Sequence, residues 1–180
     1  MKIVVVEHDP MWKEKYEKEA AKITDILKDI LVSIDHIGST SVEGLAAKPI
    51  IDILPVVTDI KKVDAYNAEF RALGYECMGE FGISGRRYFR KGGEENRTFH
   101  VHVFGQESTH DIRRHLAVRD YLRSHKEEAD AYGELKKKLA AKFPNDIDGY
   151  CDGKDVFVKE LEKKSLAWYE TSFKNQKTML

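Results

Sequence analysis

Hydrophobic positions first repeat with a helical period. Trp12, Tyr16, Ile23, Leu27 and Leu31 recur at helical spacing with Lys and Glu between them. This predicts an amphipathic helix of about six turns. Asp9-Pro10 supplies a start, since Asp caps and Pro fits the first turn. The period then drops to two. SIDHI (33–37) predicts a strand that runs into the small, hydroxyl-rich stretch Gly38-Ser39-Thr40-Ser41. Ser41 to Ala47 predicts a short helix, which Pro49 blocks. PIIDILPVV (49–57) carries apolar residues on both faces, the pattern of a covered, central strand. Ile60 to Leu73 predicts a second helix ended by Gly74.

From Tyr75 the pattern is β-like. RRYFRK (86–91) and RTFHVHVF (97–104) flank Gly92-Gly93-Glu94-Glu95-Asn96, a hairpin signal with a lengthened loop. After Gly105 the chain turns helical. Ser108 is expected to cap a helix containing Ile112, Leu116 and Tyr121. Ala129 to Phe143 predicts another helix, stopped by Pro144-Asn145, and Val156 to Trp168 a last one. The tail from Thr171 is expected to fray. The order predicts an α+β fold. Residues 1–107 read as an α/β core, and 108–180 as a helical C-terminal region packed on it in one compact unit.

Composition narrows the functional classes. The chain has 180 residues, 42% of them hydrophobic, and a formal net charge of -1. That length suits one domain with a proper core. A near-zero net charge supplies no global basic field, so nucleic acid and anionic membranes are not expected partners. The apolar runs are too short to span a bilayer, and MKIVVVEHDP has no long apolar signal segment. Cys77 and Cys151 are isolated and read as reduced thiols. The expected location is cytoplasmic.

Candidate chemistry begins at Asp52, a lone carboxylate inside an apolar strand. Alternation places Ile50, Asp52 and Leu54 on one face. A buried unpaired carboxylate costs on the order of several kcal/mol, so Asp52 needs a partner. The structural partner is a backbone amide, Lys or Arg; the functional one is a metal ion or a catalytic network. Gly38-Ser39-Thr40-Ser41 is a weak motif alone. Between two strands, however, such a turn can cradle phosphate oxygens beside the acid. His100 and His102 share one strand face. With Asp52 they make a metal-ligand set in which imidazole favours Zn, Mn or Fe over Mg, and His36 is a fourth polar candidate. Their structural role is that of hydrogen-bonded histidines on a half-solvated face.

A phosphate substrate also needs cations. Lys48 directly precedes the Asp52 strand. Alternation sends Arg87 and Lys91 to one face and Arg86 and Arg90 to the other, and only one set can face a pocket. Arg114, Arg119, Lys136 and Lys154 lie on the later helices, with Arg119 and its neighbour Asp120 expected to diverge. Tyr88, Tyr121 and Tyr132 suit core packing or stacking on a base.

HIGSTSVEGLAAKPIIDILPVV resembles the signature of the GrpB family, whose members have the nucleotidyltransferase fold. HDPMW, HVHVF, RDYLR (119–123), Tyr132 with Lys136, and Tyr150 with Lys154 follow in that family's order, so the likeness covers nearly the whole chain. It implies a mixed β-sheet with flanking helices and a Gly-Ser turn for nucleotide phosphates. It also implies that Asp52 stands at the first metal carboxylate of the superfamily. Active enzymes of that superfamily carry a second carboxylate two residues later, where this chain has Leu54. The expected function is binding of a nucleoside triphosphate and transfer of its nucleotidyl group to an acceptor hydroxyl. Asp52, Lys48 and His102 are the catalytic candidates. Gly38, Ser39, Thr40, Ser41, Arg87, Arg119, Lys136 and Lys154 are the phosphate candidates. The metal candidates are Asp52, His100 and His102, for Mg or Mn with Zn as an alternative. Two other readings compete: an inactive nucleotide-binding or regulatory module, and a metal-dependent hydrolase using Asp52, His100 and His102. Self-association into a homo-oligomer is open.

Overall fold

The computed structural model describes residues 2–178, with side chains through residue 172. Five strands form one mixed sheet: β1 (Leu31–Ile37), β2 (Ile51–Val57), β3 (Tyr75–Cys77), β4 (Arg86–Lys91) and β5 (Phe99–Gly105), in the order β1-β2-β5-β4-β3. β2 runs antiparallel to β1 and parallel to β5; β4 is antiparallel to both β5 and β3. PIIDILPVV is therefore internal, flanked on both sides, as its two apolar faces predict.

Alternation along the strands divides the sheet into two chemically different faces. Ile51, Ile53, Val57, Val101, Val103 and Phe89 point to one side, where Ile23 and Leu27 of α1 (Met11–Leu27) and Phe70 of α2 (Asn67–Ala72) bury them. The opposite side carries Asp52, His100 and His102 near one end of the strands. At the other end Leu54, Val56 and Phe104 pack with Ile37 and with Ile112 and Leu116 of α3 (Thr109–Ser124). α4 (Lys126–Lys142) and α5 (Ile147–Thr178) complete the molecule. Leu122, Tyr132 and Leu161 from α3, α4 and α5 gather over Val42 and Leu45, while Leu139 and Tyr150 meet Ile3. Among the described residues no helix is long and apolar enough to cross a membrane.

Several boundaries differ from the sequence expectation. α1 ends at Leu27, and Leu31 begins β1 opposite Val57. The helical spacing runs on through Leu31 because helix and strand feed the same core. The helix expected over 41–47 is absent. A single 3-10 turn at Ser39–Ser41 stands there, and Gly44 (φ 80) takes a left-handed conformation that no helix accommodates. Residues 60–73 form a 3-10 segment, Ile60–Tyr66, followed by α2. Ser108 occupies the cap position of α3 without a side-chain cap bond. α5 starts at Ile147, well before Val156: Asp146 accepts from the Gly149 amide at 3.0 Å and anchors a first turn whose two glycines, Gly149 and Gly153, weaken the helical signal. Helix also continues past Thr171 to Thr178, where fraying was expected.

Candidate functional site

The site is built at the polar end of the sheet. β2 and β5 are paired in register so that Asp52 lies beside His100, and His102 follows one pleat later. His102 Nε2 is 2.9 Å from Asp52 Oδ1, and His100 Nδ1 is 3.4 Å from the same oxygen. Asp52 keeps 28% of its side chain exposed. Burial works against its charge, but the hydrogen bonds from His100 and His102 prevail and hold the carboxyl well below the ordinary carboxylate range.

The hydroxyl-rich turn closes against this acid. Gly38 adopts φ 72, and a Cβ there would fall 2.7 Å from Asp52 Oδ2, so only glycine fits. Ser41 Oγ donates back to the Gly38 carbonyl at 2.5 Å. From α3, Arg123 Nε donates to the Ser41 carbonyl at 2.9 Å and fixes the turn from outside. Thus the turn and the acid, separated by more than a dozen residues in the chain, share atomic contact.

A cavity of about 260 Å³ opens in front of them, and its lining includes three lysines, Lys48, Lys136 and Lys154. Lys136 Nζ donates to Ser39 Oγ at 2.7 Å. The lysine is only 3% exposed. Burial, with Lys154 and Lys48 nearby, pulls its pKa down to about 7. Lys48 is lowered as well, first by burial and then by Lys154. The ammonium groups rest on tyrosine rings: Lys136 lies 4.3 Å from the Tyr132 centroid, and Lys48 and Lys154 lie 5.4 and 5.2 Å from that of Tyr150. Among the described residues none of the three has a carboxylate partner within ion-pair distance, and Asp52 is the only acid lining the cavity.

The structure thus brings together Gly38, Ser39, Thr40, Lys48, Asp52, His100, Lys136 and Lys154 around one cavity, with His102 bonded to Asp52 behind them. It places four other candidates elsewhere. Arg87 points to the aliphatic side of the sheet and grips Asp64 at 2.7 and 3.1 Å. Arg119 binds Asp35 at 2.9 Å and, against expectation, its neighbour Asp120 at 2.8 Å, tying α3 to β1. Ser41 is spent on the turn. His36 pairs with Ile53, on the opposite sheet face from Asp52, and is bonded to Thr40 Oγ1 at 2.9 Å and stacked on Tyr16, beside a separate cavity. Burial lowers its pKa to about 4, so it is neutral. The stacking candidates Tyr88, Tyr121 and Tyr132 are all buried, and Tyr132 lines the cavity beneath Lys136.

Asp52, His100 and His102 offer ligand atoms within 4.8 Å of one another, a group that could hold a cation. Two surrounding contacts bear on that use. Arg86, buried and locked by the Glu80 and Phe81 carbonyls at 3.2 and 2.7 Å, places NH1 3.3 Å from His102 Nδ1. A guanidinium can only donate, so Nδ1 accepts and the His102 proton sits on Nε2, directed at Asp52. His100 Nε2 is buried with no hydrogen-bond partner. The alternation of β4 set Arg86 and Arg90 on one face and Arg87 and Lys91 on the other without saying which faces the pocket; the register puts Arg86 opposite Phe104, on the His102 side.

The GrpB protein family matches residues 2–164. The chain belongs to the GrpB family. A solved relative, described as conserved protein GrpB from Enterococcus faecalis, is 51% identical and superposes with a TM-score of 0.90 over 92% of this chain and 99% of that one. The UPF0157 protein YqkA of Bacillus subtilis is 42% identical over 93% of this chain. The match covers 48% of YqkA, so the chain spans about half the length of that relative. The glutamate-rich protein GrpB of Alkalihalophilus pseudofirmus is 34% identical over 88% of this chain and 93% of its own. A more distant likeness is to the Cid1 poly(U) polymerase, solved with Mg 3'-dATP bound: TM-score 0.53, 14% identity, 77% of this chain and 43% of that one. The architecture of this GrpB chain is accordingly the nucleotidyltransferase fold.

Proposed function

We propose that this GrpB-family protein binds a nucleoside triphosphate, with its phosphates held between the Gly38–Ser39 turn and the wall formed by Lys48, Lys136 and Lys154. One observation carries the reading: three lysines without carboxylate partners converge on a hydroxyl-lined turn in a cavity that holds a single acid. Burying an ammonium with no carboxylate, only a hydroxyl and a ring face for company, is costly. A polyanion removes that cost by supplying the missing negative charge. A second cavity of about 330 Å³ adjoins the first, sharing Lys48 and Ile50, and its wall includes Pro49, Arg97 and Thr98. The nucleoside is assigned to that groove.

The nucleotidyltransferase fold favours a second reading, in which the bound nucleotide is turned over. An acceptor hydroxyl attacks the α-phosphate in line, the bond to the bridging oxygen breaks, pyrophosphate leaves, and the hydroxyl proton passes to solvent. Lys48 and Lys136 would neutralise the developing charge, and Asp52 would orient the acceptor. ATP, GTP, CTP and UTP are each added to the full chain, and both thermal stabilisation and pyrophosphate release are measured. Binding predicts stabilisation by at least one of the four, lost in Lys136→Met. Transfer additionally predicts pyrophosphate release that Asp52→Ala abolishes. Stabilisation without release identifies a binding or regulatory module. No stabilisation by any of them rejects the proposal.

A further inference from the structure

Resting on the nucleotide reading above, we infer that this pocket binds its polyphosphate without a divalent cation, the three ammonium groups standing where metal ions would otherwise neutralise charge. The ligand class is a free di- or triphosphate ester rather than its magnesium complex.

The acidic side of the site does not fit a resident metal. Magnesium needs several oxygen ligands. The residue two positions after Asp52 is Leu54, fully buried among Ile37, Val56 and Phe104, so no second carboxylate reaches the site from β2. Asp52 Oδ2 faces the Gly38 α-carbon and Oδ1 is taken by His102. The imidazoles do not fit a transition metal either. A ligating histidine presents a lone pair to the ion and donates its other N–H to an acceptor. At His102 this polarity is reversed, because Arg86 donates to Nδ1 and leaves the proton on the nitrogen that faces the site. At His100 the far nitrogen has no acceptor at all. The histidines therefore serve as donors that keep Asp52 anionic and in place.

The opposite wall supplies what the acidic side lacks. Three lysines and one aspartate give the cavity a formal surplus of two positive charges. A free triphosphate ester carries up to four negative charges. Its magnesium complex carries two fewer and brings a hydrated cation toward three lysines, so complexation weakens the attraction.

The test is calorimetric titration of the full chain with ATP and, separately, with inorganic tripolyphosphate, each in EDTA and in excess magnesium or manganese. The expected result is binding in EDTA at least as tight as with the cation. Lys136→Met and Lys154→Gln each weaken binding by roughly tenfold or more. Unliganded melting curves of both variants establish that they fold, and Lys154, on the rim of the pocket, covers the case in which the Lys136 variant does not. Binding that appears only on adding magnesium or manganese overturns this inference and leaves the nucleotide reading intact. No binding in either condition overturns both. Binding in EDTA that neither lysine variant weakens overturns the assignment to this wall.

Discussion

The two sides of the central sheet are made by the same strands and obey opposite rules. On one side Ile51, Ile53, Val101 and Val103 meet α1 and α2 in a dry aliphatic layer. On the other, Asp52, His100 and His102 alternate with those residues and are only partly covered. Apolar burial contributes on the order of 1.5–3 kcal/mol per large side chain, so the first side stabilises the fold along its whole length, while the second does so only at its Leu54, Val56 and Phe104 end. The second carries groups whose burial opposes folding, among them Lys136 and the unpartnered nitrogens of His100 and His115. A protein that violates the packing rules on one side needs the other to be regular.

That contrast can be broken by substitution. Leu54→Asp, which restores the carboxylate of the wider superfamily, inserts an unpaired charge among Ile37, Val56 and Phe104. It is expected to cost on the order of 4 kcal/mol or more, read by urea denaturation; a variant as stable as the parent would show that this region is not the closed apolar patch described. Ile53→Ala, one residue earlier on the aliphatic side, is expected to cost about 3 kcal/mol and to leave ATP affinity unchanged once the folded fraction is accounted for.

A pH series sharpens the polar side. The pKa of Lys136 is near 7 in the fold against an ordinary 10.5. Between those values the unfolded chain holds a proton that the folded chain releases, so this group's contribution to stability rises with pH through that window and is a penalty below it. The melting temperature of the parent relative to Lys136→Met should therefore climb from pH 7 toward pH 10. Polyphosphate affinity should fall over the same range, since the ligand needs the charged form. A difference flat with pH would refute the assignment. The smallest effect is expected at His115, where Nε2 is buried without a partner. His115→Leu removes that unmet donor or acceptor and should change stability by no more than about 1 kcal/mol, with a gain more in keeping than a loss.

Much of this was legible in the chain. The apolar flanks of Asp52 placed β2 inside the sheet, and the two-residue spacing of His100 and His102 put both on its face. The Tyr-x-x-x-Lys spacing that recurs at Tyr132–Lys136 and Tyr150–Lys154 was visible too, and its meaning is now physical: ring and ammonium share a helix face four residues apart, one supporting the other. What stayed hidden depended on partners. Arg87 and Arg119 look like free cations in sequence, and only the fold supplies Asp64, Asp35 and Asp120 to engage them. His36 sits a few residues from Asp52's turn, yet the strand pleat sends it to the other side, a consequence of register that a single strand cannot reveal. The start of α5 was missed because Gly149 and Gly153 mimic a loop.

The contact between the Gly38 α-carbon and Asp52 leaves no gap between the turn and the acid. Any side chain at position 38 would press on the carboxylate, so the spacing of turn and acid depends on glycine there. Under the proposed reading, a polyphosphate would enter with its most anionic end toward Lys48, Lys136 and Lys154. On that reading the Asp52 carboxylate would repel negative groups that stray past Ser39. The orientation of such a guest would then depend on a methyl group that position 38 lacks.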